Sequence, residues 1–368
     1  MRVVVIGASG NVGTALLRRF ARDGTITSVV GVARRAPDRT PPAPYDVATW
    51  HAVDVGAQGQ DEPVVRLLTE AVTGADAVVH LAWAVQPSHD RARLRATNVV
   101  GTRRVLEAVR RAGVPQLVVA SSVGAYSPAP DDEPRSEAWP TDGVRSSSYS
   151  VDKVAVERLL DEAELRVPSL TIARLRPALI FQRASGREIG RYFFGPFLPE
   201  RLLGHLPVLP WPRGLRLQVV HADDVAAAYR EAVVRRVRGP FNVAAPGLLR
   251  AQDVAPLVGA DRVVDVPRGL ARAAVTISWH TRVVPVGPGW LDMAFAAPVL
   301  DAGRAARELG WHAEHDAAST LGEAVRGIVA GAGTASPPLR PRHVPRRRPS
   351  RADLAAAGRD PGSSEGRR

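Results

Sequence analysis

The chain has 368 residues, 45% hydrophobic and 23% charged, an ordinary globular composition that excludes a collagen, a disulfide-stapled mini-protein and a wholly disordered chain. Cysteine is absent, which removes disulfides, thiolate metal sites and a cysteine nucleophile, and a cytoplasmic location is expected. Half of the formal net charge of +12 lies beyond residue 330, where nine arginines face Asp353, Asp360 and Glu365.

From Met1 to Val329 apolar runs alternate with amphipathic stretches. Strands are expected at Arg2 to Ile6, Thr27 to Ala33, Trp50 to Asp54, Ala77 to Leu81, Gln116 to Ala120 and Leu170 to Leu175. Helices are expected between them at Val12 to Arg22, Pro63 to Thr73, Arg91 to Arg111 and Tyr149 to Leu165. Near-continuous apolar strands suit a parallel sheet covered on both faces, so the pattern predicts an α/β, doubly wound architecture. After Arg176 the alternation weakens into short Pro- and Gly-punctuated elements, the sign of a smaller C-terminal region. Residues 331–368, with Pro337, Pro338, Pro341, Pro345 and Pro349 around Arg346-Arg347-Arg348 and no aromatic residue, read as a disordered basic tail. No nucleic-acid partner is expected for it. Met1 to Gly7 is too short an apolar run for a signal peptide, and no stretch approaches the ~18 consecutive apolar residues of a membrane span.

The first chemical signal is Gly7-Ala-Ser9-Gly10-Asn11-Val12-Gly13, set between a strand and a helix. Glycines there permit the tight turn, close approach of a pyrophosphate, and helix-on-strand packing, with the helix N-terminus facing the anion. Its Gly-x-x-Gly-x-x-Gly spacing differs from the dehydrogenase Gly-x-Gly-x-x-Gly. The second signal is Tyr149-Ser-Val-Asp-Lys153, whose spacing of four puts both side chains on one helix face. A phenol beside an ammonium can act as general acid or base, its pKa drawn from about 10 toward neutrality. Lys153 is the sole lysine among 49 basic residues, and a compact ammonium does what a planar guanidinium cannot. Upstream, Leu117-Val-Val-Ala-Ser121-Ser122 ends a strand in two hydroxyls, where ligands gather in open α/β sheets.

Together with Asp54-Val55, His80-Leu81-Ala82, Asn98-Val-Val-Gly101-Thr102, Arg176-Pro177, His221-Ala-Asp-Asp224-Val and Glu308-Leu-Gly-Trp311, these motifs resemble the extended short-chain dehydrogenase/reductases, or NAD-dependent epimerase/dehydratase family, over residues 1 to 330. The resemblance implies a Rossmann domain over residues 1–175 that binds a nicotinamide dinucleotide. It implies a substrate-binding region over 176–330 with segments returning to that domain. Ser122, Tyr149 and Lys153 are implied as catalytic. Cofactor contacts are implied for Gly7, Ser9, Gly10, Asn11, Val12, Gly13, Asp54, Val55, Leu81, Ala82, Asn98, Tyr149 and Lys153, Asn98 acting chiefly to steady the active-site helix and backbone.

Departures from the family pattern narrow the function. Val123 and Gly124 stand where nucleotide-sugar dehydratases carry acidic residues, and Leu179 where epimerases usually place an asparagine. Tyr192, Phe193, Phe194, Phe197 and Trp211 cluster where the family forms its substrate lid, which favours an apolar or weakly polar substrate over a nucleotide sugar. Ala33 occupies the place of the ribose-binding carboxylate and is followed by Arg34 and Arg35, which favours NADP over NAD. No metal is expected, since His312, Glu314 and His315 lack a further convincing ligand. Asp223 and Asp224 read as a helix N-cap. The reading is an NAD(P)-dependent oxidoreductase interconverting an alcohol and a carbonyl on a small molecule. A nucleotide-sugar epimerase and a non-catalytic dinucleotide sensor stand as alternatives, and a homodimer is one assembly left open.

Overall fold

The order of apolar runs along the chain builds a single seven-stranded parallel sheet in the computed structural model, which describes residues 1–37, 41–85, 89–129, 131–193 and 203–341. The N-terminal part runs β1 (Arg2–Ile6), α1 (Asn11–Phe20), β2 (Ser28–Ala33), β3 (Ala48–Ala52), α2 (Asp61–Val72), β4 (Ala77–His80), α3 (Arg91–Arg95), α4 (Gly101–Arg111), β5 (Gln116–Ala120), β6 (Pro134–Arg135), α5 (Ser148–Arg166) and β7 (Thr171–Pro177). The C-terminal part continues with β8 (Leu179–Phe181), α6 (Gly186–Phe193), β9 (Val208–Pro212), β10 (Val219–His221), α7 (Ala222–Arg235), β11 (Gly239–Val243), α8 (Ala251–Val254), β12 (Arg262–Val266), α9 (Arg268–His280), α10 (Pro288–Ala296), β13 (Val299–Leu300) and α11 (Ala317–Ala330).

The sheet order is β11-β7-β5-β4-β1-β2-β3. The order reverses between β1 and β4, and such a switch point leaves a crevice at the carboxyl ends of the strands. Side chains alternate across the pleat: Val3 and Val5 enter one core with Leu16, Leu17 and Tyr229, while Val4 and Ile6 enter the other with Leu68, Val105 and Leu160. Each such buried aliphatic side chain contributes roughly 1.5–3 kcal/mol. A third cluster, including Ile189, Trp211, Val219, Leu249 and Val325, holds the C-terminal region together. There β8–β10, β9–β12 and β6–β13 form short parallel pairs.

Three features depart from the sequence expectations. β3 begins two residues early, because Ala48–Ala52 is the stretch in register with Val29–Ala33, which leaves Asp54 in the turn beyond. The helix expected at Arg91 to Arg111 is interrupted by a π-helical turn at Ala96–Val100, a distortion that often marks a functional site. Residues 331–341 pack on the body instead of forming the start of a solvated tail. Leu339 is 1% exposed and Ser336 fully buried, the Thr334 hydroxyl pairs with Tyr45 Oη at 2.6 Å, and Ser336 Oγ donates to the Ser9 carbonyl at 2.5 Å. Composition hid this, since one leucine and two hydroxyls make the anchor. The rest of the expected tail lies outside the described residues.

Candidate active site

β1 hands directly into the glycine loop. Gly7 takes φ +95°, and a Cβ there would stand 2.6 Å from the Ala82 nitrogen, so β1 and the turn after β4 approach as closely as they do only without a side chain. Gly10 precedes α1 with no side-chain cap, and the first turn carries no acidic residue. The amides of Asn11, Val12 and Gly13 therefore have no acceptor within the helix, a donor set at the positive end of a helix that fits a pyrophosphate. Gln182 steadies the loop by donating to the Asn11 backbone and side-chain oxygens. Ser9 is buried, its carbonyl held by Ser336.

The next three strands end on the same edge. Ala33 is buried at the end of β2, while Arg34 and Arg35 are exposed beside it. Asp54 turns the chain after β3 by accepting the Gly56 amide at 3.0 Å, and the buried Val55 gives its carbonyl to Arg104 at 2.7 Å. After β4, the Leu81 amide donates to the Ile6 carbonyl at 2.7 Å, which fixes Leu81 and Ala82 against β1.

The π-helical turn aims Asn98 at the backbone that follows. Its carboxamide accepts the Ala84 amide at 2.8 Å, donates to the Ala84 carbonyl at 3.1 Å, and donates to Asp152 at 3.2 Å. Asp152, wholly buried on α5, also pairs with Arg91 at 2.9 Å. One side chain thus ties α5 to the loop after β4, next to Lys153.

Ser147 caps α5 by accepting the Ser150 amide, and the first turns of that helix present Tyr149 and Lys153. Ser122, just beyond the end of β5, accepts the Gly124 amide at 3.0 Å, and its hydroxyl stands beside the Tyr149 phenol and pulls its pKa down. The Tyr149 ring lies against Gly124, where a Cβ would come within 2.9 Å of it. Burial pushes the phenol up to about 12, against a smaller downward pull from Ser122. Desolvation thus opposes the drift toward neutrality suggested by the Tyr–Lys spacing, and the phenol is held in its neutral form. Burial likewise pushes the Lys153 ammonium down to about 7, although Glu157 and Asp152 pull it upward. Lys153 Nζ donates to the Ala120 carbonyl at 2.8 Å and sits 3.5 Å above the Trp83 ring.

Several functional side chains escaped the sequence reading. Trp83 covers Lys153 and meets the Tyr149 ring edge-on at 5.7 Å; its indole N–H is buried with no partner among the described residues, an orphan donor suited to a polar ligand. It directly follows Leu81-Ala82, a signal that was in view. Trp290, on α10, reaches within 4.8 Å of the Tyr149 ring, and nothing local predicts that. Glu157, one turn beyond Lys153, is buried between Arg174 at 3.0 Å and Arg176 at 2.8 Å and accepts Ser121 Oγ. Burial alone would push its carboxyl up, but Arg176, Arg174 and Ser121 together hold it down at about 2.

Other candidates resolve into structure. The cap of α7 is His221, whose side chain accepts the Asp223 amide, so the expected cap by Asp223 or Asp224 is displaced. Asp223 pairs with Arg18 at 2.6 Å, and Asp224 with His315 at 2.9 Å. Trp211 belongs to the third core cluster and Tyr192 bonds Glu188. Phe194 and Phe197, and the side chain of Phe193, lie outside the described residues.

A family model described as the NAD dependent epimerase/dehydratase family matches residues 3–244. An uncharacterised protein of Mycobacterium tuberculosis is 31% identical over 261 residues, 70% of this chain and 23% of its own length. A UDP-glucose 4-epimerase of Mycolicibacterium smegmatis is 35% identical over 164 residues, 44% of this chain and 50% of that protein. The chain thus spans about a quarter of the first relative and half of the second. Among solved structures, a Thermus thermophilus UDP-glucose 4-epimerase complex with NAD superposes with a TM-score of 0.64 at 23% identity, covering 89% of this chain and 98% of that one. MoeE5 in complex with UDP-glucose and NAD does so with 0.64 at 22% identity and the same coverage; at these identities the likeness is one of fold. With the family model matching well over half its length, the chain belongs to the NAD-dependent epimerase/dehydratase family.

Proposed function

We propose that the protein is an NAD(P)-dependent oxidoreductase that interconverts an alcohol and a carbonyl. What carries this reading is the placement of Ser122 beside the Tyr149 phenol, one helical turn from Lys153 and at the same strand ends as the glycine loop. The uncapped start of α1 would hold the pyrophosphate, with Asp54, Val55, Leu81 and Ala82 lining the path along the strand ends. Lys153 would donate to the nicotinamide ribose hydroxyls. A nicotinamide dinucleotide, when bound there, supplies hydride transfer. Tyr149, a neutral phenol here, gives its proton to the carbonyl oxygen during reduction and recovers it during oxidation. Ser122 donates to the same oxygen and holds it in line with the phenol. Arg34 and Arg35, exposed at the end of β2, supply charge-assisted donors for a 2′-phosphate, so NADP is the favoured cofactor.

A nucleotide-sugar epimerase is the second reading, favoured by the identity to the M. smegmatis UDP-glucose 4-epimerase. The two separate by the fate of the dinucleotide. Purified protein is given NADP or NAD with a panel of alcohols, and reduced nicotinamide is followed by its near-ultraviolet absorbance. Net reduction that exceeds the enzyme concentration, and is lost in Tyr149→Phe, supports the oxidoreductase. Product formed with the dinucleotide retained and no net reduction would establish the epimerase.

A further inference from the structure

A cavity of about 690 Å³ is walled by immediate neighbours of Ser122 and Tyr149. Val123 lines it immediately after Ser122, as does Trp290, whose ring lies 4.8 Å from that of Tyr149. From there it runs between Leu209 of β9 and Leu321 of α11 into the third core cluster. Leu179, in the position where epimerases of the family usually carry an asparagine, is part of the same wall.

The polar inventory of the wall is short. Among its described residues, apart from the indole N–H of Trp290, only the side chains of Arg216 and Gln218 are polar. Arg216 donates to the carbonyls of Ala129, Asp131 and Ala297 and pairs with Asp132 at 3.2 Å. Gln218 donates to the Leu300 carbonyl at 3.1 Å and accepts the Leu300 amide at 2.8 Å. Both are engaged in holding the chain around the cavity. A nucleotide sugar would bring a doubly charged diphosphate into this space, and burying charge away from water without a partner is strongly unfavourable. A hydrocarbon skeleton meets no such cost and gains with every methylene removed from water.

We propose that the substrate is a predominantly hydrocarbon alcohol or ketone, with its oxygen at Ser122 and Tyr149 and its apolar body in this cavity. The proposal rests on the reading of those two residues as the reaction centre, but its binding can be measured without turnover.

The test is a calorimetric titration with straight-chain methyl ketones from butanone to undecanone, run on the full-length wild type and on Tyr149→Phe. The corresponding alcohols are assayed with NADP and NAD in parallel, and UDP-glucose serves as the polar competitor. Affinity is expected to rise by about fourfold per added methylene until the cavity is filled, in both proteins, with UDP-glucose failing to displace the ketone. Ala294→Phe, which places a ring in the cavity wall, is expected to move the optimum to shorter chains; Leu206→Trp provides the same readout if that variant does not fold. Chain-length-dependent binding with no turnover of any alcohol would uphold the cavity and refute the oxidoreductase reading. Affinity independent of chain length, or UDP-glucose binding more tightly than the longest ketone, would overturn the substrate class whether or not turnover is seen.

Discussion

Lys153 should make dinucleotide binding pH-dependent in a range where few other groups titrate. Burial depresses its ammonium from 10.5 to about 7. A ligand that accepts hydrogen bonds from the ammonium favours the charged form, so affinity is full below about pH 7 and is lost as pH rises through it. If the bound state keeps the proton, NAD affinity falls about tenfold between pH 6 and 8 and about a hundredfold between pH 6 and 9. The neighbours leave this window clear: burial, reinforced by the Lys153 charge, pushes the His80 imidazole down to about 3, the Glu157 carboxyl is held at about 2, and the Tyr149 phenol is up at about 12. Calorimetry with NAD in buffers of different ionisation enthalpy should register uptake of about 0.9 proton per dinucleotide at pH 8. Lys153→Met should bind weakly and lose the slope. An affinity flat from pH 6 to 9, or the same slope in Lys153→Met, would refute the argument.

Tyr149→Phe keeps the ring packing against Gly124 and Trp290 but removes the proton donor, so turnover should drop by at least about 100-fold with NADP affinity within a few fold of wild type; unchanged turnover would dismiss the phenol as the acid. Arg34→Ala should cost NADP about tenfold in affinity and leave NAD alone, as read by paired titrations; an unaltered preference shifts the role to Arg35 or abolishes it. Deletion of residues 342–368 should leave Tm unchanged, whereas deletion from residue 334 removes Leu339 and the two hydroxyl anchors, about 4 kcal/mol together, and should lower Tm by several degrees; equal Tm for the two truncations would mean that residues 334–341 do not dock in solution. Glu157→Gln leaves Arg176 without its buried counter-charge, while Arg174 keeps Asp161 and Glu164, and should destabilise by about 3–5 kcal/mol in denaturant titration; an effect below about 1 kcal/mol would argue against the buried ion cluster.

What could be read from the sequence follows from how local its cause is. β1 and β5 are continuous apolar runs between glycine or polar stops, and their boundaries match the structure. β3 is short and partly polar, Ala-Thr-Trp-His-Ala, and its limits are set by pairing with β2, which no local pattern encodes. The π-helical turn at Ala96–Val100 adds one residue to a helical repeat whose apolar periodicity survives it, so it leaves no trace in the sequence. Tyr149 and Lys153 were visible because helical spacing puts them on one face, while the strand end offered Ser121 and Ser122 alike and only the family resemblance chose Ser122. Trp290 comes from a helix far along the chain, and only the packing of α10 against α5 brings it to Tyr149. The aromatic cluster near residue 193 suggested an apolar substrate region, yet the cavity wall is mainly aliphatic and drawn from segments up to Ile328. The segment at residues 334–341 shows the limit of composition: a proline-rich stretch can still dock when its few anchoring groups meet a prepared surface.

The chain's single lysine has a chemical consequence for the intact protein. Lys153 is only 2% exposed, and the Met1 ammonium donates to the Thr25 carbonyl at 2.7 Å. Amine-directed reagents therefore have a single lysine to address in this chain, and it lies beside the proposed reaction centre. An amine held near a pKa of about 7 is substantially in its nucleophilic form at neutral pH. Mild acylation of the native protein should thus mark the Met1 amine before Lys153, and counting acyl groups by intact mass gives a direct occupancy gauge for whatever shields Lys153.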